Sequence, residues 1–192
     1  MTNQEALELF EEAGAHLTGH FKLSSGMHSG QYIEKFRLVE NPRMLEPLCE
    51  EIASRFSDDR VDIVLGPTTA GIILAYNVAR ILGVEARYAE TENGVRGLRR
   101  GQTLPEGAHV LVVDDILTTG GAVRECIKVV KQHGAVLVGI GILGDRSGGK
   151  LDLGTKLESA LTVAVEAWQP DDCPLCKKGE QITQPGTRAI RK

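Results

Sequence analysis

Two adjacent carboxylates, Asp114 and Asp115, stand just before the run Ile116-Leu117-Thr118-Thr119-Gly120-Gly121. An apolar stretch, residues 110–113, precedes them and reads as a buried strand, and a helical pattern follows from about residue 121. Ligands of open α/β sheets bind beyond the carboxyl ends of the strands. A turn that opens a helix offers free backbone N–H groups and a positive dipole end, both suited to a phosphate. Strand, acid pair, hydroxyl turn and helix together describe a holder for a sugar phosphate. The carboxylates accept from sugar hydroxyls, directly or through Mg²⁺, while the turn takes the phosphate. A surface loop with an N-cap threonine needs one hydroxyl and explains neither carboxylate.

The rest of the chain must position that segment. Residues 3–13 read as a helix packing through Leu7 and Phe10, and residues 42–56 as a second, with Asn41 as cap and Pro42 in its first turn. A strand at 61–65 leads into a helix in TTAGIILAYNVARILG. A weaker strand is expected at 86–89. The helix at 121–133 is followed by an apolar strand at 136–143 and an outer strand at 161–165. Alternating strands and helices predict an α/β fold with a mostly parallel sheet. The basic, polar tail from residue 177 is expected to be loosely held.

VVDDILTTGG resembles the phosphoribosyl-diphosphate signature of type I phosphoribosyltransferases. The resemblance implies that family's fold: a mostly parallel central sheet flanked by helices, with a small hood over the base site. It implies that Asp114 and Asp115 face the ribose 2′- and 3′-hydroxyls and that residues 116–121 cradle the 5′-phosphate. A second strand-to-helix loop carries Pro67, Thr68, Thr69 and Gly71, where small residues permit close backbone approach. An N-cap alone explains that loop, but in the family the corresponding loop holds pyrophosphate.

Residues 19–36, GHFKLSSGMHSGQYIEKF, are similar to the N-terminal segment of orotate phosphoribosyltransferases. Phe21, Leu23, Ser25, Gly26, Ser29 and Tyr32 stand at the matching places, with Ile33 beside them. The resemblance implies that this segment lies over an orotate ring and reaches the diphosphate. The family often has a lysine just before the Ser-Gly pair; Ser24 stands there, and Lys22, two residues off, does not replace it by position. After the strand at 136–143, GDRSGG resembles the family segment whose arginine meets the orotate carboxylate, which assigns Arg146 as base reader. A guanidinium can bind a carboxylate through two parallel hydrogen bonds. Uracil would give Arg146 no carboxylate, so orotate ranks above it.

Between the two βα units, YAETENGVRGLRRGQTLPEG carries glycines and three arginines and reads as a mobile basic flap. Departing diphosphate needs its growing charge neutralised and water kept away. Arg96, Arg99 and Arg100 are the candidates, grouped with Asp114 and Asp115 as catalytic. Many family members have two lysines and a histidine here; this chain lacks them. The resemblance implies Mg²⁺ held mainly by substrate oxygens and water, with no direct protein ligand. It also implies a homodimer in which flaps complete the neighbour's site.

The chain has 192 residues, 42% hydrophobic and 4% aromatic, enough for one enzyme-sized core. Residues 1–172 are expected to form one domain, with the hood in about 1–40, and 173–192 a tail. A net charge of −4 argues against bulk attraction to nucleic acid. No membrane-length apolar run or signal core occurs, so the cytoplasm is expected. Cys173-Pro174-Leu175-Cys176 has the spacing of half a zinc knuckle or of a redox pair. No second CxxC occurs, and His16, His20, His28, His109 and His133 form no ligand motif in sequence. Simple packing of the tail is the expected reading, and Trp168 is placed to pin it. The function expected is transfer of 5-phosphoribosyl to orotate, giving orotidine 5′-phosphate and diphosphate. The alternatives are a salvage enzyme for uracil or a purine, and a non-enzymatic regulator that binds phosphoribosyl diphosphate.

Overall fold

A computed structural model describes residues 1–185; residues 186–192 of the expected tail lie outside the described residues. Helix α1 (Asn3–Glu12) is opened by a capping box in which Thr2 and Glu5 satisfy each other's backbone N–H groups. It is followed by a hairpin of β1 (His16–Lys22) and β2 (His28–Ile33), the short α2 (Phe36–Val39) and α3 (Pro42–Arg55). The Asn41 side chain accepts from the Arg43 N–H at 3.2 Å, so the expected cap is formed. Then come β3 (Ile63–Pro67), α4 (Ala70–Leu82), β4 (Glu85–Glu92), β5 (Val95–Gly97), β6 (His109–Leu117), α5 (Gly121–Gln132), β7 (Val136–Asp145) and β8 (Leu157–Thr162). A 3₁₀ turn (Pro170–Asp172) and α6 (Pro174–Lys177) close the described chain.

The main sheet has six strands in the order β5-β4-β3-β6-β7-β8. All neighbours are parallel except β4 and β5, an antiparallel hairpin. Residues alternate between its faces, and so do their partners. Leu111 and Val113 of β6 pack with Phe10, Leu48, Ile52 and Leu74 on the α1, α3 and α4 side. Val110 and Val112 pack with Val123, Cys126 and Ile127 of α5 on the other.

The order reverses between β3 and β6: the chain moves outward from β3 to β4, then returns to β3's other side. Such a switch point leaves a crevice at the strand carboxyl ends. Both motif loops, 67–69 and 118–120, emerge there. β3 pairs with β6 only from Ile63–Val110 as far as Leu65–Val112, whereas β7 accompanies β6 to Leu117. The acids therefore lie within a longer strand than the 110–113 expected, on an overhang bordered by β7 alone. The outer strand likewise begins earlier than expected, at Leu157. The first half of the stretch read as a flap forms the β4–β5 hairpin, with Thr91 opposite Arg96, and Arg99 and Arg100 stand just after it.

The tail is held more firmly than its composition implies. His28 and Trp168 exchange both backbone hydrogen bonds at 2.8 Å. Thr183 donates its N–H to His20 O, and its carbonyl accepts from the Lys22 N–H, each at 2.8 Å. The tail thus adds a short third edge to the hood, up to residue 185.

Candidate active site

A cleft of about 980 Å³ opens between the hood and the carboxyl end of the sheet. Ser25, Tyr32, Ile33, Asp115, Ile116, Thr118, Thr119 and Arg146 line it, as do Lys22, Ser24, Lys35, Gln184 and Pro185. Hood, acid strand, hydroxyl turn and arginine turn therefore meet in one place. Gly26, with φ +85°, sits at the hairpin turn behind Ser25. Pro67, Thr68, Gly71, Asp114, Leu117, Gly120 and Gly121 lie outside its lining.

The two acids are not equivalent. Successive strand residues face opposite sides. Asp115 faces the hood, where its Oδ2 pairs with Lys35 Nζ at 2.7 Å. Its Oδ1 accepts from the Ile116 N–H at 2.6 Å. Asp114 lies on the α5 side, within the field of Arg96, and accepts from the Asp115 N–H at 2.8 Å. Burial, and then the charge of Asp115, pushes the Asp114 carboxyl up to about 7. Lys35 was missed in the sequence, because nothing in Ile33-Glu34-Lys35-Phe36 marks it as facing an acid eighty residues away.

The hydroxyl turn is open for a ligand. Gly120, φ +76°, is the N-cap residue of α5, and no side chain caps that helix among the described residues. α4 is likewise uncapped: Thr69 occupies the N-cap position without a side-chain bond. The N-cap explanation of both loops is therefore removed, and two helix N-termini point their free N–H groups toward the crevice. The loop before α4 is also closed to side chains. A Cβ on Gly66 would lie 2.0 Å from Gly71 O, and one on Gly71 would lie 2.7 Å from Pro67 Cδ. The Thr68–Thr69 peptide is cis.

Arg146 is bound to the turn it serves. Its N–H donates to Leu117 O at 2.9 Å, tying the arginine turn to the hydroxyl turn. Buried Asp145 shapes the same turn by accepting from the Ser147 and Gly149 N–H groups at 2.7 and 3.1 Å. The Arg146 side chain faces the cleft near Tyr32, and its buried Nε has no hydrogen-bond partner among the described residues. Burial lowers its pKa from the ordinary arginine value, with partial compensation from Tyr32. Burial, followed by Glu34, raises that of Tyr32.

The three hairpin arginines do not line this cleft. Arg96 Nε donates to Glu125 at 2.8 Å and its Nη1 to Ala89 O. Arg99 Nε lies 3.1 Å from a Glu92 oxygen, in an ion pair without an aligned hydrogen bond. Arg100 Nε donates to Glu90 at 2.7 Å. Within one chain each is engaged by a glutamate.

A family profile described as phosphoribosyl transferase domain matches residues 38–171, which hold every strand of the main sheet and both strand-to-helix loops. An orotate phosphoribosyltransferase from Pelotomaculum thermopropionicum is 46% identical over 99% of this chain and 100% of its own length. That span includes the hood and tail, which the domain profile leaves out. The chain belongs to the orotate phosphoribosyltransferase family. It is an enzyme of the phosphoribosyltransferase type. Among solved structures, orotate phosphoribosyltransferase from Aeropyrum pernix is 27% identical, with a TM-score of 0.66 over 82% of this chain and 93% of that one. An adenine phosphoribosyltransferase from Rhodothermus marinus superposes almost as well, with a TM-score of 0.65 at 20% identity over 84% of this chain and 100% of that one. Fold likeness therefore does not choose the base; the full-length similarity to orotate enzymes does. No helix among the described residues is long and apolar enough to cross a membrane.

Proposed function

We propose that the cleft transfers a 5-phosphoribosyl group from phosphoribosyl diphosphate to orotate, releasing diphosphate and orotidine 5′-phosphate. The carrying observation is Arg146: a half-buried guanidinium facing the cleft, its Nε buried without a partner among the described residues, on a backbone joined through Leu117 to the hydroxyl turn. An anionic base supplies the partner its burial demands.

The 5′-phosphate sits on residues 116–121 at the open N-terminus of α5. The loop with Pro67, Thr68 and Gly71 presents the α4 N-terminus to the diphosphate. Asp115 accepts from ribose hydroxyls in exchange for Lys35, which is then free to move toward diphosphate. Asp114 supports the same strand from behind. Ser25, Gly26, Tyr32 and Ile33 close over the base, holding it against C1 of the ribose and excluding water. No protein nucleophile is required: the ring nitrogen attacks as diphosphate departs from the other face.

Carboxylate and hydroxyl oxygens at the cleft fit a hard divalent cation. Mg²⁺, bound mainly through diphosphate and ribose oxygens and water near Asp114 and Asp115, would neutralise leaving-group charge. Arg96, Arg99 and Arg100 are assigned to the diphosphate of a neighbouring subunit in a homodimer. Exposed Ile73 and Tyr76 on α4, with Phe36 on adjacent α2, offer an apolar face that supports assembly. The setting proposed is cytoplasmic.

The test measures diphosphate release from phosphoribosyl diphosphate and Mg²⁺ with orotate, uracil, hypoxanthine, guanine and adenine. Orotate should dominate. Preferential use of a purine would overturn the base assignment.

A further inference from the structure

We infer that His20, His28, Cys173 and Cys176 hold a structural zinc ion that clamps the tail to the hood. Residues separated by about 150 positions converge there: His20 and His28 from the β1–β2 hairpin, the cysteines from either end of the turn opening α6. One ligand atom from each lies within 4.8 Å of all the others. His20, His28 and Cys173 are buried, and Cys176 closes the solvent side.

The spacings are those of a tetrahedron rather than of casual packing. With Zn–N at about 2.0–2.1 Å and Zn–S at about 2.3 Å, tetrahedral neighbours stand about 3.3 Å apart for N–N and about 3.5 Å for N–S. His20 Nε2 and His28 Nδ1 are 3.2 Å apart. Cys173 Sγ is 3.5 Å from His20 Nε2, and Cys176 Sγ is 3.7 Å from the same atom and 3.3 Å from His28 Nδ1.

A supporting contact fixes one ligand's tautomer. His20 Nδ1 lies 2.9 Å from Glu180 O, an arrangement in which its N–H donates to the carbonyl. That leaves Nε2 with its lone pair directed at the cluster. Metal-bound histidines characteristically use the second ring nitrogen in this way. Neither cysteine is in a disulfide, so both sulfurs are open to a metal. Two sulfurs and two imidazoles in tetrahedral array select zinc among common divalent ions, and four protein ligands leave no open position for chemistry. The clamp sits beside the active cleft: Thr183 bonds the backbone of His20 and Lys22, and Lys22, Ser24, Gln184 and Pro185 all line the cleft.

The experiment uses the full, untagged chain produced in zinc-supplemented medium and purified without oxygen. Elemental analysis should find about one zinc per chain, as a four-ligand structural site requires. The double variant Cys173→Ser/Cys176→Ser should retain less than about a tenth of that. Should the variant not fold, cobalt substitution of the unaltered chain provides the second reading. It should give tetrahedral ligand-field bands and a thiolate-to-cobalt charge-transfer band, both lost on mercurial modification of the thiols. Absence of stoichiometric zinc, zinc retained by the double variant, a six-coordinate cobalt spectrum, or a Cys173–Cys176 disulfide in the purified chain would each overturn the assignment.

Discussion

Arg146 and the hairpin arginines serve opposite electrostatic conditions. Arg146 is half-buried and its Nε is unanswered among the described residues, whereas Arg96, Arg99 and Arg100 each lie against a glutamate. Desolvating a cation without a partner is costly, so the fold retains Arg146 at a standing disadvantage that a bound anion removes. An exposed pair such as Arg100–Glu90 is nearly neutral for stability and can be exchanged cheaply. On the proposed assignment, one arginine waits in position for a ligand and the others must trade a glutamate for one.

The contrast is most easily broken at Arg146. Arg146→Ala should lower kcat/KM for orotate by about 2–4 kcal/mol, roughly 30- to 1000-fold, while leaving the fold intact. Arg146→Lys should recover part of the loss, because a point charge replaces a bidentate fork. An alanine variant with unaltered steady-state kinetics would remove Arg146 from the site.

The acids test the contrast within one strand. Asp115→Asn should raise KM for phosphoribosyl diphosphate by about 1–3 kcal/mol of lost charged hydrogen bonding. Asp114→Asn should reveal itself in stability against pH. The folded pKa of Asp114, about 7, lies above its ordinary value of 3.8. The native state therefore binds the extra proton, and its stability declines as pH rises through the window from about 4 to about 7. The amide cannot ionise. Relative to the unaltered chain, Asp114→Asn should gain on the order of 2–4 kcal/mol between pH 4 and pH 8 in urea denaturation without ligands. Parallel pH profiles for the two proteins would show that Asp114 carries no such penalty.

A smaller signal decides whether the hairpin arginines act between subunits. One parent carries Asp114→Asn and Asp115→Asn; the other has Arg96, Arg99 and Arg100 replaced by Ala. After verified exchange at equal amounts, random pairing gives mixed dimers with one intact site, and activity should return to about a quarter of normal. Silence despite exchange would confine each hairpin to its own chain. The smallest effect concerns the exposed pair: Glu90→Gln should leave the urea unfolding midpoint nearly unchanged. A clear fall in that midpoint would mean that Arg100 is held as firmly as Arg146 is left free.

Much of the fold was legible because helices announced themselves by period and caps. Asn41 and Pro42 marked α3, and the apolar run before Asp145 marked β7. The extent of β6 was not legible: aspartates are poor strand residues, so local preference ended it at residue 113, while pairing with β7 carries it to Leu117. The hood hairpin escaped notice because its alternation is interrupted by glycines and a register shift between Thr18 and Phe21. Of the site, the turn at 116–121 and Arg146 were readable as contiguous motifs. Lys35 and the His–Cys cluster were not, since their meaning depends on partners brought close only by tertiary folding. The engagement of the arginines by Glu90, Glu92 and Glu125 was hidden for the same reason.

The contact between Gly66 and Gly71 sets what descent can alter. A Cβ on Gly66 would collide with the Gly71 carbonyl oxygen and one on Gly71 with the Pro67 ring, so neither position accepts even alanine without a shift of the surrounding chain. A saturation library screened for activity should return glycine at both, whichever base is offered. The loop before α4 is thus a fixed fitting. New base preferences would have to be written into interchangeable parts: the hood, the turn bearing Arg146, and the segment of tail that borders the cleft.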